Sequence, residues 1–299
     1  MPRAPRRSPA LAGMIFLGSQ AVADGLLTPA DLRSRAWQQI LHGVYTDAAI
    51  TVTHRHRCLA VARFALPPGG VIAGRSAAYL YGVDLVAARD PVDVLVPRGS
   101  DLRLAGVRSH VAYLDPGDVR QLETVPVTSP VRTCWDLAQW CGDPVERVVW
   151  IDALAAGRVV TLPALEEYAR NRAGHRGWRR LLDVVQLADP GAGSPQESRL
   201  RVRLVRAGLP RPRTQFTIVH EGRFVARCDL AWPEYRVAVE YDGMWHAESA
   251  TQIHADRRRL NRMVAADWVV LHVTAARLRD DFASFVRELR AVLRSRGAR

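Results

Sequence analysis

Acidic side chains in the last third of this 299-residue chain are spaced as a site for a hard cation requires. Asp229 lies near the end of an alternating, strand-like run (223–230). Glu240 lies on the run that returns (236–241), with Asp242 just beyond it. Between them Trp232-Pro233-Glu234-Tyr235 makes a turn, with proline where type I and II turns favour it. A turn centred between Pro233 and Glu234 sets Asp229 opposite Ala238 and makes Glu240 its diagonal neighbour, with Cβ atoms about 7 Å apart. Alternation along a strand then places Asp229, Ala238, Glu240 and Asp242 on one face. Two carboxylates at that distance can grip one cation, and oxygen donors suit Mg²⁺ or Mn²⁺. The competing reading is a salt-bridged surface, for which Arg227 on the same face would be a partner.

Other residues would complete the chemistry. His246, whose type titrates near neutrality, is placed to take a proton from an attacking water or to return one to a leaving oxygen. Asp242 would orient His246 or hold a second ion, and the Tyr241 carbonyl would help the first. Glu197 would close the metal shell, although Ser194-Pro195-Gln196-Glu197 is also a capping box that accounts for Glu197 alone. Arg257, Arg258 and Arg259 would hold backbone phosphates. Trp245 would wedge or stack against a base, or else sit in the core.

The elements that position these groups can be read from the pattern. A helix opens at Ser194 and ends at Gly208, with Leu200, Leu204 and Val205 on its apolar face. Strand-like runs follow at 214–220, 223–230 and 236–241, the first two joined by Glu221-Gly222, and a further helix carries the three arginines. Residues 188–195 are small or Pro/Gly and mark a boundary. Upstream, 14–24 reads as a helix closed by Gly25, Thr28-Pro29-Ala30-Asp31 opens another, and 37–41 reads as a short third helix. His42-Gly43-Val44-Tyr45 then turns into a strand. The middle mixes strands (92–96, 107–114) with helices (144–156, 163–171, 178–187) and shows no catalytic constellation. His110, His175 and Glu166-Glu167 read as surface or capping groups.

Charge points to an acidic polymer as partner. The formal net charge is +12, and from Ser194 onward 20 arginines face 12 acids, which is +8 of it. All 42 basic residues are arginine, so no lysine can serve as base or Schiff-base former, while the guanidinium fork suits phosphate. Cys58, Cys134, Cys141 and Cys228 lack zinc spacing and read as free thiols. No apolar run approaches the roughly 20 residues of a membrane span. The basic start, apolar 11–17 and Ala21-Val22-Ala23 imitate a secretory signal, but a first helix explains them as well. A cytoplasmic location is the expectation.

Two families resemble parts of this chain. Gly25-Leu26-Leu27-Thr28, His42-Gly43-Val44-Tyr45, the 71–83 segment with Leu80-Tyr81-Gly82, and Pro126-Val127-Thr128-Ser129-Pro130 are similar to AbiEi-type antitoxins with an N-terminal winged helix. The short stretch before the wing implies a truncated recognition helix. Asp229, Glu240-x-Asp242-Gly243, Trp245-His246, the helix around 256–261 and Ala266-Asp267-Trp268 resemble the nucleases related to the Vsr mismatch-repair enzyme. That resemblance implies the wider P-D-(D/E)-x-K fold, a restriction-endonuclease-like mixed sheet flanked by helices, although Asp242 stands where the broader superfamily has lysine. The expected fold class is α/β (α+β): a winged-helix-like module at 1–65, a mixed α/β region at 66–190 and a nuclease-like domain at 194–299. The expected function is a metal-dependent DNA endonuclease or nickase with a targeting module. The alternative is an inactive, antitoxin-like DNA- or partner-binding regulator. DNA is the expected partner, and a homodimer, a toxin partner or a repair partner all stay open.

Overall fold

The computed structural model describes residues 7–242 and 250–298 of an α+β chain, with side chains from 257 onward in the second stretch. Contacts divide the chain into two compact units. Unit 1 holds 1–140 and 163–181; unit 2 holds 141–162 and 182–299. This grouping differs from the sequence-based segments, because one unit collects 1–140 and the helix at 144–156 belongs with the C-terminal sheet.

Unit 1 begins with β1 (Phe16–Leu17), α1 (Gly18–Ala23), α2 (Pro29–Leu32), β2 (Trp37–Leu41) and β3 (Val44–Asp47). The three strands form an antiparallel sheet in the order β1-β3-β2. Thr28 and Asp31 close a reciprocal capping box on α2, and Gly25 ends the preceding turn at φ 66°. Residues 37–41 are a strand and not the expected third helix. Trp37, Ile40 and Leu41 have helical spacing and all are buried. The spacing misleads because the register slips between Gln39 and Leu41, and that irregularity lets both Ile40 and Leu41 face inward from a strand. The expected helix at 14–24 likewise starts only at Gly18, since Phe16 and Leu17 pair with Tyr45 and Val44.

The rest of unit 1 comprises α3 (His54–Phe64), β4 (Val71–Ile72), α4 (Gly74–Leu80), β5 (Val92–Val96), β6 (Val107–Val111), β7 (Val119–Leu122), β8 (Val125–Thr128) and α5 (Pro130–Trp140). A mixed sheet runs β6-β5-β4-β8-β7. Its core packs Ile72, Val92, Val94, Val96 and Val127 against Cys58, Ala60 and Val61 of α3. Helix α6 (Pro144–Ala156) belongs to unit 2. The chain then passes through α7 (Leu162–Arg170) and α8 (Trp178–Leu187), and the division falls after Leu181.

Unit 2 continues with α9 (Pro195–Arg206), β9 (Arg213–His220), β10 (Arg223–Trp232), β11 (Val237–Asp242), α10 (Ala250–Ala265), β12 (Val269–Thr274), α11 (Ala275–Asp280) and α12 (Phe282–Ser295). The sheet order is β12-β11-β10-β9. Glu221 and Gly222, both at positive φ, make the tight turn that lets β9 and β10 pair antiparallel. β11 and β12 are parallel, so a crossover must join them, and α10 lies within it. Alternation on β11 sends Val237 and Val239 into a core with Leu200 and Leu204 of α9 and Phe285 and Leu289 of α12. Ala238 joins Ala231, Cys228 and Met263 of α10 on the other side. The sheet is therefore covered on both faces. Among the described residues no helix is long and apolar enough to cross a membrane.

The Pro/Gly stretch at 188–195 is tied down inside unit 2. Asp152 of α6 accepts from the Asp189 N–H (2.7 Å), from Ser198 Oγ (2.6 Å) and from the fully buried Arg201 guanidinium (2.7 Å). Removing one partner of such a pair leaves a buried charge uncompensated, at a cost of about 3–5 kcal/mol.

Candidate functional site

Three elements of unit 2, α9, β10 and β11, bring acidic groups to one place, and β9 adds an amide that joins two of them. Ser194 Oγ accepts from the Glu197 N–H (3.2 Å) and starts α9, as the capping pattern requires. The Glu197 carboxylate turns to the Gly193 N–H (2.9 Å) and to Gln215 Nε2 (2.7 Å), and is 7% exposed. Gln215, on β9, also donates to Asp229 Oδ1 (3.3 Å), so one amide joins two carboxylates. A Cβ on Gly193 would stand 2.8 Å from that amide, which makes glycine a condition of the approach. Gln215 itself adopts φ 48°, a left-handed conformation that costs an amide-bearing residue about 1 kcal/mol or more. Strain at the residue bridging the two acids is strain at the site.

The hairpin register differs from the expected one. Leu230 pairs with Val239 and Ala231 with Ala238, two positions away from a turn centred between Pro233 and Glu234. A 3-10 turn at Pro233–Tyr235 followed by Arg236 at φ 51° makes a four-residue loop. A shift of two preserves the face, so the acids stay together, but Asp229 comes level with Glu240 rather than diagonal to it. There the ladder ends: the Tyr241 N–H donates to Asp229 Oδ2 (2.8 Å), a side chain standing where a strand carbonyl would.

The electrostatics follow from this crowding. Burial, and then the nearby Glu197 and Glu240 carboxylates, push the Asp229 carboxyl above its ordinary value, while the Tyr241 N–H and the Gln215 amide pull it back. Burial, with Glu240 nearby, also pushes the Cys228 thiol up to about 12, so that sulfur is no nucleophile. Glu240 is 6% exposed, and Arg259 of α10 grips both its oxygens, one of them at 2.6 Å. Arg259 is thus an ion-pair partner of Glu240, a role that the expected phosphate contact did not include. Arg227 does not take that role. Arg257 and Arg258 on the same helix are exposed. Asp242 Oδ1 meets His272 Nδ1 of β12 at 3.1 Å, and His272 Nε2 is buried without a partner among the described residues. Trp245 and His246 lie outside the described residues.

Hard carboxylate donors suit a divalent cation, and Asp229 and Glu240 project side by side. Among the described residues no three His, Cys, Asp or Glu side chains are already arranged to hold one. For Asp229 and Glu240 to share a cation, Arg259 must release a Glu240 oxygen. Gln215 and His272 were not anticipated. Gln215 carried no signal, because a glutamine within an alternating run is unremarkable. His272 did: a parallel strand beside β11 puts it in register with Glu240.

Unit 1 holds a contrasting group. His54 Nε2 lies 2.8 Å from Ser76 Oγ, which accepts from the Asp93 N–H (2.8 Å). These are serine, histidine and aspartate, yet all are buried to within 2%, and burial lowers the pKa of His54. No substrate reaches them, and their role is to join α3, α4 and β5.

Comparison with known proteins adds little to this geometry. No family model matches the chain. Two Mycobacterium tuberculosis proteins, "Uncharacterized protein MT2308" (strain CDC 1551 / Oshkosh) and "Uncharacterized protein Rv2248" (strain ATCC 25618 / H37Rv), are each 28% identical to it over 147 residues, 49% of this chain and 54% of theirs. The chain thus spans about half the length of these curated relatives. A solved structure, that of the RV2827C protein from Mycobacterium tuberculosis, aligns over 73% of this chain and 89% of its own with a TM-score of 0.40 and 19% identity.

Proposed function

We propose that unit 2 is a metal-dependent DNA endonuclease or nickase and that the start of unit 1 is a winged-helix-like module that helps to target or regulate it. The observation that carries this reading is the half-buried Asp229 carboxyl, raised in pKa, joined to Glu197 through Gln215 and level with Glu240 on the neighbouring strand, in a unit whose helix α10 exposes Arg257 and Arg258. The mixed sheet flanked by helices agrees with the fold that the Vsr resemblance implies. Asp229 and Glu240 would hold Mg²⁺ or Mn²⁺, which when bound supplies charge neutralisation on the scissile phosphate and a more acidic water. Glu197 acts through Gln215 to fix the Asp229 carboxylate. Arg257 and Arg258 hold the flanking phosphates. His272, oriented by Asp242, and His246 are the imidazoles available to hold the transferred proton. With α2 only four residues long, the N-terminal module has one turn to offer a major groove. Docking rather than base reading is therefore its role.

A second reading has its own support. The two-pronged Arg259–Glu240 pair is what a DNA-binding protein without cleavage would keep, since arginine already neutralises the acid. Supercoiled plasmid incubated with Mg²⁺ or Mn²⁺ separates the two. Nicking that disappears in EDTA and in Asp229→Ala supports the nuclease. Intact plasmid together with a salt-sensitive gel shift supports the binding protein and sinks the catalytic reading.

A further inference from the structure

A cavity of about 730 Å³ in unit 1 collects arginines: Arg98, Arg132, Arg172, Arg176 and Arg180 all line it. Small-ligand sites span roughly 300–1,000 Å³. Two of the five guanidinium groups are committed within the protein. Arg132 donates to Asp136 (2.8 Å), Asp118 (2.9 Å) and the Tyr113 carbonyl (3.0 Å). Arg172 lies 3.6 Å above the Tyr168 ring and donates to Asp115 (2.9 Å) and Asp118 (3.1 Å). Asp118 also accepts from the Tyr168 hydroxyl (2.7 Å). Two guanidinium groups thus meet three carboxyls, of which burial pushes Asp136 up to about 7, and together they hold the cavity wall with no positive charge to spare.

The other three are not balanced. Among the described residues Arg180 donates to neutral acceptors, the Gln139 main-chain and side-chain oxygens (3.4 and 3.2 Å), which also quiets the carbonyl end of α5. Neither Arg98 nor Arg176 has an acidic partner among the described residues. Three positive forks around one concavity repel each other, and an anion with several oxygens relieves that repulsion through paired N–H donors. The loop bearing Arg176 is also held in place. Gln139 Nε2 donates to the Gly177 carbonyl (3.0 Å), and a Cβ on Gly177, at φ 95°, would lie 2.0 Å from Gln139 Oε1. Trp140 is already stacked face to face on His110 at 3.6 Å, but Tyr113 stands 75% exposed at the cavity. A base can lie against such a ring.

We propose that this cavity binds a nucleoside phosphate, a free nucleotide or the phosphorylated end of a strand, with Arg98, Arg176 and Arg180 on the phosphate and Tyr113 against the base. The test is calorimetric titration of the full chain in EDTA at about 0.1 M salt, with ADP, adenosine, and a thymidine tetranucleotide with and without a 5′-phosphate. ADP or the 5′-phosphorylated tetramer is expected to bind saturably and adenosine not at all. The Arg98→Ala/Arg176→Ala variant, changed at two exposed positions and checked for an unaltered melting temperature, should weaken binding at least tenfold. Binding of ADP alone assigns the free nucleotide; binding of the phosphorylated tetramer alone assigns the strand end. The proposal is overturned if no phosphate probe binds below about 1 mM, if the variant binds as tightly as the native chain, or if hexaglutamate displaces ADP as readily as inorganic phosphate does.

Discussion

The acidic cluster of unit 2 and the arginine cluster of unit 1 are built by the same rule with opposite sign. In each, some charges are closed off by partners and some stand open. Arg259 closes Glu240, and Asp118 closes Arg132 and Arg172. Among the described residues, Asp229 keeps an amide and a main-chain N–H, and Arg98 and Arg176 have no acidic partner. The difference lies in how the crowding is resolved. Buried carboxylates resolve it by shifting toward the protonated form, as Asp229 does. Guanidinium groups cannot lose a proton, so they are kept at an open cavity where water or an anion can reach them. A closed pair with no exposed member, such as Arg201 on Asp152, is structure; an open group beside a closed one is a candidate for chemistry.

The sharpest break is Asp229→Ala. If unit 2 cleaves DNA, the rate should fall about 10²–10⁴-fold, the equivalent of several kcal/mol of lost transition-state stabilisation, with an unchanged circular dichroism spectrum. Cleavage at the native rate would place the chemistry elsewhere. Next in size is the purely structural pair: Arg201→Ala should lower stability by about 3–5 kcal/mol in a denaturant titration, and a loss below 1 kcal/mol would contradict its closed character. Arg259→Ala should cost less, about 1–3 kcal/mol for the Glu240 carboxylate left without its donor. If the cation reading holds, that variant should also reach half-maximal cleavage at a lower Mg²⁺ concentration, because arginine no longer competes for Glu240. In unit 1, Gly177→Ala should cost about 1–2 kcal/mol from its left-handed backbone alone. It should weaken nucleotide binding as well by displacing Gln139, whereas Gly117→Ala, with open space around its Cβ position, should do neither.

The smallest expected effect is a pH dependence. Burial raises the Asp229 pKa above its ordinary value of 3.8, so the folded chain binds this proton more tightly than the unfolded chain does. That contribution to stability is complete below the ordinary value and is lost as pH rises through the folded one. Asp229→Asn, which can still accept from Tyr241, should flatten this part of the stability–pH curve and gain on the native protein at neutral pH. An Asn variant with the native slope would show that Asp229 is ionised at little cost.

Much of unit 2 was legible because its signals are local. The capping residues of α9, the Glu221-Gly222 turn, the alternation on β10 and β11 and the charged helix after them all depend on near neighbours in the chain. Asp229, Glu240 and Asp242 were placed on one face by parity, and parity survived a register error of two. The strand at 37–41 was read as a helix because a bulge imitates helical spacing. Gln215 went unseen because its importance lies in a conformation and two contacts with residues 18 and 14 positions away. The arginine cavity was also missed, since its residues are scattered from Arg98 to Arg180.

The sequence by itself determined the class of fold, the face on which the acids lie and the absence of any lysine chemistry, because side-chain period and residue type are properties of the chain. Only the tertiary structure decided which charges are closed and which are open. That Arg259 reaches Glu240 and Arg227 does not, that His272 meets Asp242, and that Arg98 and Arg176 line a cavity whose acids, Asp115 and Asp118, are taken by other arginines all follow from packing. The energy of a charge is set by what surrounds it in space, and no spacing along the chain specifies that.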